Sequence, residues 1–383
     1  MLSKKKKTKT IRIGTRSSAL ALWQAQVVED QLKLEGYETK IIPVKSTGDL
    51  VLDRPLYELG ITGIFTRTLD IAMLNEEIDI AVHSLKDVPT ILPKGICQAA
   101  VLKRGSSKDI IVCKDGTIDF SKLSEALIAT GSLRRKAQWL NKYPSHKVTG
   151  LRGNVNSRLK KLEDNNWHGA IFAKAGLERL NITPKHSITL DWMIPAPAQG
   201  AIMITALESD TFSREACSKL NHNETEICTT VERKFLNKLE GGCTAPIGAL
   251  AQFENNIIQF TGVLLSEDGS TKIKVNKTVE LRNLEGLAGE AAEYILDNGG
   301  KKLMGSFKKK TDAVHLYSTK KLTEDQEALF HRKNKVDSSD FIQSVACEFE
   351  IPEGSSFNHV VITSKNAVNS ICLLYTSPSP RDA

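Results

Sequence analysis

A chain of 383 residues is long enough for two to four domains. Its hydrophobic share of 40% and charged share of 25% are ordinary for a soluble globular protein, and no apolar run reaches the roughly 18 residues of a membrane-spanning helix. The formal charge of +7 comes mostly from Lys4, Lys5, Lys6, Lys7 and Lys9; the rest is near balance, and with an aromatic share of 6% this argues against a nucleic-acid binder.

Residues 1–10 read as a solvated, disordered leader with no long apolar segment behind it, so no secretory peptide is read and the cytoplasm is expected. Ile11–Gly14 is predicted as a strand and Ala19–Leu34 as an amphipathic helix, with Leu22, Val27 and Leu34 among its apolar positions. Lys40–Lys45 follows as a strand, Phe65–Leu74 as a helix and Asp79–Ser84 as a buried strand. The plan then recurs: strand Ala126–Thr130, a GSLRR loop, a helix from about Arg134 to Leu140, and a buried strand within His168–Leu177. Strand-Thr15-Arg16-Ser17-helix resembles strand-Thr130-Gly131-Ser132-helix, which suits two α/β lobes facing across a cleft, with ligands at strand C-termini and helix N-termini. Two prolines in Met193–Ala201 force an extended connection. Asn223–Leu239 reads as a helix, then Ile247–Phe253, Ile257–Leu265 and Lys272–Glu280 as strands and Leu284–Leu296 as a helix, a small α+β domain. Beyond Asp312 the composition shifts, and Ala313–Thr319 and His359–Val368 read as strands of a further α/β unit.

The cysteines are seven, an odd number, widely spaced and without a Cys-x-x-Cys pair, and the eight histidines show no metal-binding spacing, so neither a disulfide framework nor a metal site is expected. Cys243 stands apart because Gly241 and Gly242 precede it, a setting that suits a covalent attachment point. His83–Thr90 reads HSLKDVPT and places Asp87 in a loop stiffened by Pro89; alone, such an aspartate is more often a turn cap, and His83 more often a hydrogen-bonded core residue than a base. Arg16, Arg134, Arg135, Arg152, Arg158 and Arg179 all fall at expected strand ends or helix starts. Guanidinium forks there match carboxylate or phosphate groups. No phosphate-loop or dinucleotide glycine pattern occurs, so a polycarboxylate cleft is the better reading.

The stretches IGTRSSALALWQA, HSLKDVPT, GSLRRKAQ, LRGNVNSRL, PAPAQGA and LEGGCTAPIGA, in this order between about Ile11 and Met304, resemble the porphobilinogen deaminase family of tetrapyrrole biosynthesis. The resemblance implies an α/β fold of two periplasmic-binding-protein-like lobes around a cleft plus a small α+β cofactor-carrying domain. The divisions would be a leader 1–10, a first lobe 11–102 with 199–220, a second lobe 103–198 and a cofactor domain 221–310. It implies a dipyrromethane cofactor in thioether linkage to Cys243, on which four porphobilinogen units are condensed with loss of ammonia before hydroxymethylbilane is released by water. Asp87 and Lys86 would be catalytic. Ser84, Lys86, Asp87, Thr130, Ser132, Arg134 and Arg135 would contact the cofactor, and Arg16, Ser18, Arg152, Arg158, Arg179 and Gln199 the substrate. A monomer with no metal, nucleic-acid or membrane partner is expected.

The family's usual lysine in the loop after the second strand is Thr62 here, with Arg67 as a second basic position and Ser46–Gly63 as a lid. Residues 311–372, above all VVITSKNAV, resemble the start of uroporphyrinogen-III synthase, too short a segment to be secure alone, and no synthase activity is expected of it. Residues 373–383 read as a disordered tail and a candidate for foreign sequence. The other functional class these features allow is a two-lobed binding protein without turnover, which explains neither Gly241-Gly242-Cys243 nor an aspartate among anion sites.

Arginines around Asp87 favour its ionised form, so it should stabilise positive charge on the substrate rather than donate a proton. Asp87→Glu is then expected to retain part of the turnover and Asp87→Asn to lose nearly all; equal rates in a porphobilinogen-consumption assay would refute this.

Overall fold

The computed structural model describes residues 9–44, 66–239, 245–307, 315–318, 321–324 and 335–338. Two compact units divide the chain at residues 307 and 308.

In the first unit the elements run β1 (Ile11–Arg16), α1 (Ala19–Leu34), β2 (Thr39–Val44), α2 (Arg67–Leu74), β3 (Ile80–Ser84) and, after a 3-10 turn at Leu85–Asp87, β4 (Ile96–Val101). They continue as β5 (Asp109–Cys113), β6 (Leu127–Ala129), α3 (Leu133–Lys142), β7 (Lys147–Thr149), α4 (Val155–Asp164), β8 (Gly169–Ala173), α5 (Lys174–Glu178) and β9 (Ser187–Thr189). Then come β10 (Ile202–Leu207), α6 (Thr211–Ser218), α7 (Asn223–Lys238), β11 (Ile247–Glu254), β12 (Ile257–Leu265), β13 (Lys272–Glu280), α8 (Leu287–Ile295) and α9 (Lys301–Phe307).

The two five-stranded sheets share one plan. The first has the order β2-β1-β3-β10-β4 and the second β7-β6-β8-β5-β9. In each, three parallel strands are followed by one antiparallel strand, β10 or β5, and a fifth outside it. Both antiparallel strands come directly after a chain crossing, β5 after Leu102–Lys108 and β10 after Leu190–Ala201. The β1–α1 and β6–α3 corners therefore hold equivalent places in the two lobes, which accounts for the similarity between Thr15-Arg16-Ser17 and Thr130-Gly131-Ser132. Pro43 is tolerated in β2 because that strand lies at the sheet edge.

Both cores follow from strand periodicity. Ile13, Ile80, Val82, Ile202 and Ile204 pack with Val28 and Leu32 of α1 in the first lobe. In β5, Ile111 faces the cluster around Trp139 and Phe120, while Ile110 and Val112 face Phe172 and Leu177 on the other side. The third domain is an antiparallel meander β11-β12-β13 covered by α7 and α8. A Cβ at Gly262 would stand 2.6 Å from the Phe235 ring, so only glycine lets α7 lie this close to the sheet. The helix expected from Leu284 begins at Leu287, after Gly286 at φ +91°, a conformation that ends the preceding turn rather than extending the helix.

The crossings run side by side, with Gly105 N–H donating to Gly200 O at 3.0 Å and Leu102 N–H to Ile202 O at 3.0 Å. Gly200 has φ +90°, and a Cβ there would meet Ser106 O at 2.6 Å. Fully buried Glu232 of α7 pins both crossings to the third domain. It accepts from Arg104 at 2.6 and 3.1 Å, from Ala198 N–H at 2.6 Å and from Ala251 N–H at 2.8 Å.

In the second unit β14 (His315–Ser318) pairs in parallel with β15 (Lys335–Ser338). The strand expected at His359–Val368 lies outside the described residues.

Removing one partner of a buried ion pair strands the other charge. Glu232→Ala should therefore cost about 3–5 kcal/mol in urea unfolding, with Glu232→Gln costing less. A loss below about 1 kcal/mol, the scale of an ordinary substitution, would place the pin elsewhere.

Candidate functional site

The β3 strand ends at Ser84 and the chain tightens into the Leu85–Asp87 3-10 turn. Val88 is extended (φ −87°, ψ 130°), as a residue before proline should be, and this fixes the exit of the turn. Lys86 and Asp87 are half-buried on it. Arg16 closes β1, and Ser18 caps α1, its Oγ accepting from Ala21 N–H at 3.3 Å. Arg16, Ser18, Gln24, Thr66, His83, Ser84 and Asp87 share the lining of a cavity of about 80 Å³ at these strand ends. Ser84 Oγ accepts from Gln24 Nε2 at 2.8 Å. His83 is buried: burial first, then the Arg16 charge, push it down to about 4, and its Nε2 lies 3.3 Å from Thr205 Oγ1.

The second lobe supplies the equivalent corner. Ser132 caps α3, its Oγ accepting from Arg135 N–H at 3.4 Å, and buried Thr130 Oγ1 accepts from Ser132 N–H at 3.3 Å. A Cβ at Gly131 would stand 2.5 Å from Leu151 O, so the corner needs glycine. Arg134 and Arg135 are both 5% exposed and share one buried partner, Asp109. Arg134 Nη1 reaches Asp109 Oδ2 at 2.7 Å and Ile194 O at 2.8 Å. Arg135 reaches Asp109 Oδ1 through Nη2 at 2.8 Å and Nε at 3.0 Å, and Ile171 O through Nη1 at 2.9 Å. Burial alone would raise Asp109, but the two guanidiniums hold its carboxyl well below the usual carboxylate range.

Charge couples the two lobes. Lys86 is pushed down to about 8, by burial first; Asp87 opposes, Arg135 reinforces, Asp109 opposes and Arg134 reinforces. Arg158, half-buried near the start of α4, is pulled down to about 10 by burial and then Arg135, with Asp87 opposing and Arg152 reinforcing. Burial lowers Arg152 as well. Five cations, Lys86, Arg134, Arg135, Arg152 and Arg158, thus meet two carboxylates, Asp87 and Asp109. Arg134 Nε and Arg158 Nε are buried without a hydrogen-bond partner among the described residues. Buried, under-compensated donors of this kind call for an anionic ligand. A dipyrromethane with its carboxylate side chains fits that donor set.

Two assigned residues sit elsewhere. Gln199 is fully buried and faces the protein: its Nε2 donates to Ser107 O at 2.8 Å and Asp109 Oδ1 at 3.0 Å, tying the second crossing to the arginine pair. Arg179 donates to Gly200 O at 2.6 Å, lies 5.6 Å from the Trp23 ring centroid and lines a separate cavity of about 370 Å³ with Trp23 and Arg104. Burial, opposed by Glu178, pulls it down to about 10. Cys243, Thr62 and the Ser46–Gly63 lid lie outside the described residues, while Arg67 is exposed at the start of α2. Leu239 and Ala245, on either side of the Cys243 segment in sequence, are buried in the third domain. Sequence reading missed Asp109, Glu232 and Arg233; Asp109 opens an apolar strand, but nothing local distinguishes a buried carboxylate there from an exposed one. Among the described residues no group could hold a metal ion, and no helix is long and apolar enough to cross a membrane.

This architecture defines a two-lobed α/β protein with an arginine-rich cluster at its charged corners and a third domain pinned to both crossings. Residues 11–215 match the family described as porphobilinogen deaminase, dipyromethane cofactor binding domain, and residues 226–297 its C-terminal domain. A chloroplastic porphobilinogen deaminase of Oryza sativa subsp. japonica is 42% identical over 281 residues, 71% of this chain and 78% of that one. Those of Desulforamulus reducens and Chlorobium luteolum are 40% identical over 302 residues (77% and 96% of the chains) and 37% over 309 (79% and 99%). The likeness to solved structures is too distant to add to this; the methionine binding protein MetQ has 12% identity and a TM-score of 0.36 over 55% of this chain and 89% of that one. The chain belongs to the porphobilinogen deaminase family.

Native Lys86 loses its proton near 8, whereas the unfolded side chain keeps it to 10.5. Across that window the unfolded state binds more protons, so stability rises with pH; below it, the charged Lys86 carries its full cost. In a Cys243→Ser background, the stability difference between Lys86 and Lys86→Met proteins should shift toward Lys86 from about pH 8 to 10.5. A flat difference in urea titrations would count against it.

Proposed function

We propose that the chain carries out its family's reaction, condensing four porphobilinogen units head to tail with loss of ammonia and releasing hydroxymethylbilane by hydrolysis. It is a transferase of tetrapyrrole and haem biosynthesis that uses a dipyrromethane cofactor. The observation that supports the reading is the excess of cations over carboxylates around Asp87 among the described residues, inside a chain that matches the family along most of its folded length.

Our assignment of roles follows the geometry. When bound, the dipyrromethane supplies the covalent acceptor on which the pyrroles are joined, and we place its attachment at Cys243. Arg134 and Arg135, oriented by Asp109, and Arg158 and Arg152 hold acetate and propionate groups. Arg16 and Ser18 receive the incoming substrate's carboxylates at the first-lobe corner. Ser84, Thr130 and Ser132 add hydroxyl contacts. Asp87 stands in the cavity and stabilises the positive charge left on the substrate when ammonia departs. Lys86 places an ammonium next to Asp87 and pairs with a ligand carboxylate. Gln199 acts at one remove, by holding Asp109.

We also read residues 313–369 as a uroporphyrinogen-III-synthase-like segment, supported by the parallel pairing of β14 and β15, which requires a crossover connection. An antiparallel pair in an experimental structure would remove that support. A cytoplasmic monomer is our reading of location and assembly, which cell fractionation and light scattering decide.

Intact mass and peptide mapping of the purified protein test the function. Two linked pyrrole units are expected on Cys243, and Cys243→Ser should lack the added mass and lose turnover. An unmodified Cys243 in an active protein, or a Cys243→Ser protein that still turns over, would overturn the assignment.

A further inference from the structure

One helix of the third domain grips the turn that carries Lys86 and Asp87. Arg233 of α7 donates to Pro89 O at 2.6 Å, to Val88 O at 2.9 Å and, more weakly, to Leu85 O at 3.4 Å. One helical turn further, on the same face, Asn237 Nδ2 donates to Thr90 Oγ1 at 3.0 Å. The turn has little internal support: Val88 N–H bonds Leu85 O at 3.2 Å, Leu85 N–H reaches across to Ala201 O at 3.0 Å, and Pro89 has no N–H to give. Half-buried carbonyls in such a turn need donors from outside it. A guanidinium supplies five N–H groups in a fixed planar fork; an ammonium carries its three donors on a single nitrogen at the end of a flexible stem. In sequence, the Cys243 segment follows the end of this helix.

We propose that Arg233 is a positioning residue for the reaction: it fixes the backbone from Leu85 to Pro89, and with it the Lys86 ammonium and the Asp87 carboxylate, against the helix that leads into the cofactor-bearing segment. This rests on the function proposed above. The Arg233 guanidinium is taken up by the carbonyls of Leu85, Val88 and Pro89, so it acts through the turn. It sets where Asp87 stands, and small misplacements of a reacting constellation cost roughly 100-fold in rate.

Arg233→Ala and Arg233→Lys, prepared from the full chain, test the proposal against the wild type. Intact mass should show both variants carrying the dipyrromethane as the wild type does. For Arg233→Ala, kcat should fall about 10- to 100-fold with KM for porphobilinogen moving less than about threefold. Added guanidinium ion at low millimolar concentration should restore part of the Ala variant's rate and none of the Lys variant's. Amide hydrogen exchange at Leu85 and Val88 should quicken in both. A folded Arg233→Ala protein with kcat within about twofold of wild type, or with unchanged exchange at Leu85 and Val88, would overturn the proposal. If Arg233→Ala does not fold, the pair Asn237→Ala and Thr90→Val loosens the same grip, and unchanged exchange there overturns it equally. Failure of the function reading would appear in the wild type, as missing cofactor or turnover; failure of this inference appears only in the comparison, and the exchange measurement needs no turnover.

Discussion

Glu232 has no contact with solvent, yet it is a carboxylate, and taking such a group out of water is tolerable only when donors surround it. Four hydrogen bonds do so, from the Arg104 guanidinium and from the backbone N–H groups of Ala198 and Ala251. Arg104 lies on the first crossing between the lobes, Ala198 on the second and Ala251 in the third domain. These three segments are consequently not independent. Any movement that parts them leaves a charge in a poor dielectric, so the three segments are held together here. A pair of this kind adds little net stability compared with an apolar replacement; its effect is to make one arrangement of three segments far better than its neighbours.

The site depends on the opposite condition, charges left under-compensated. Asp109 pairs with both guanidiniums, and Gln199 holds Asp109 in turn. That leaves Arg134 and Arg135 fixed in orientation and part of a cluster with Lys86, Arg152, Arg158 and Asp87. Burial first, and the neighbouring arginines after it, lower Lys86 and Arg158, and a ligand rich in carboxylates would offset both effects. The first and second lobes contribute through equivalent strand-to-helix corners, so the same local geometry presents Arg16 and Ser18 on one side and Ser132 with its arginines on the other.

Much of the fold was legible in the sequence. Helix α1 and strands β12 and β13 have the bounds read from the sequence, but Leu22 and Leu34 of α1 are exposed, and Val263 and Leu265 of β12 are buried with Ala137 on the face away from the third-domain core. Short segments were harder. Strands β7 and β9 have three residues each and no period to read, and the apolar run of β10 carries nothing that says which sheet it joins. Its place between β3 and β4 depends on pairing partners more than 100 residues away. Charged residues were the least legible: Asp109, Glu232 and Arg233 look in sequence like the surface charges that accompany any strand or helix.

The sequence by itself determined the kinds of groups available, their order, and the six stretches that carry the family resemblance, since these are local strings whose glycines, prolines and arginines have meaning where they stand. Only the tertiary structure decided what each charge faces. It set Arg134 and Arg135 on Asp109, buried Gln199, put Arg179 in a second cavity and brought Arg233 onto carbonyls 144 and 145 residues away in the chain. The reason is physical: periodicity records which side of an element is buried, whereas a hydrogen bond or ion pair between distant segments depends on how whole layers pack, and no local pattern encodes that.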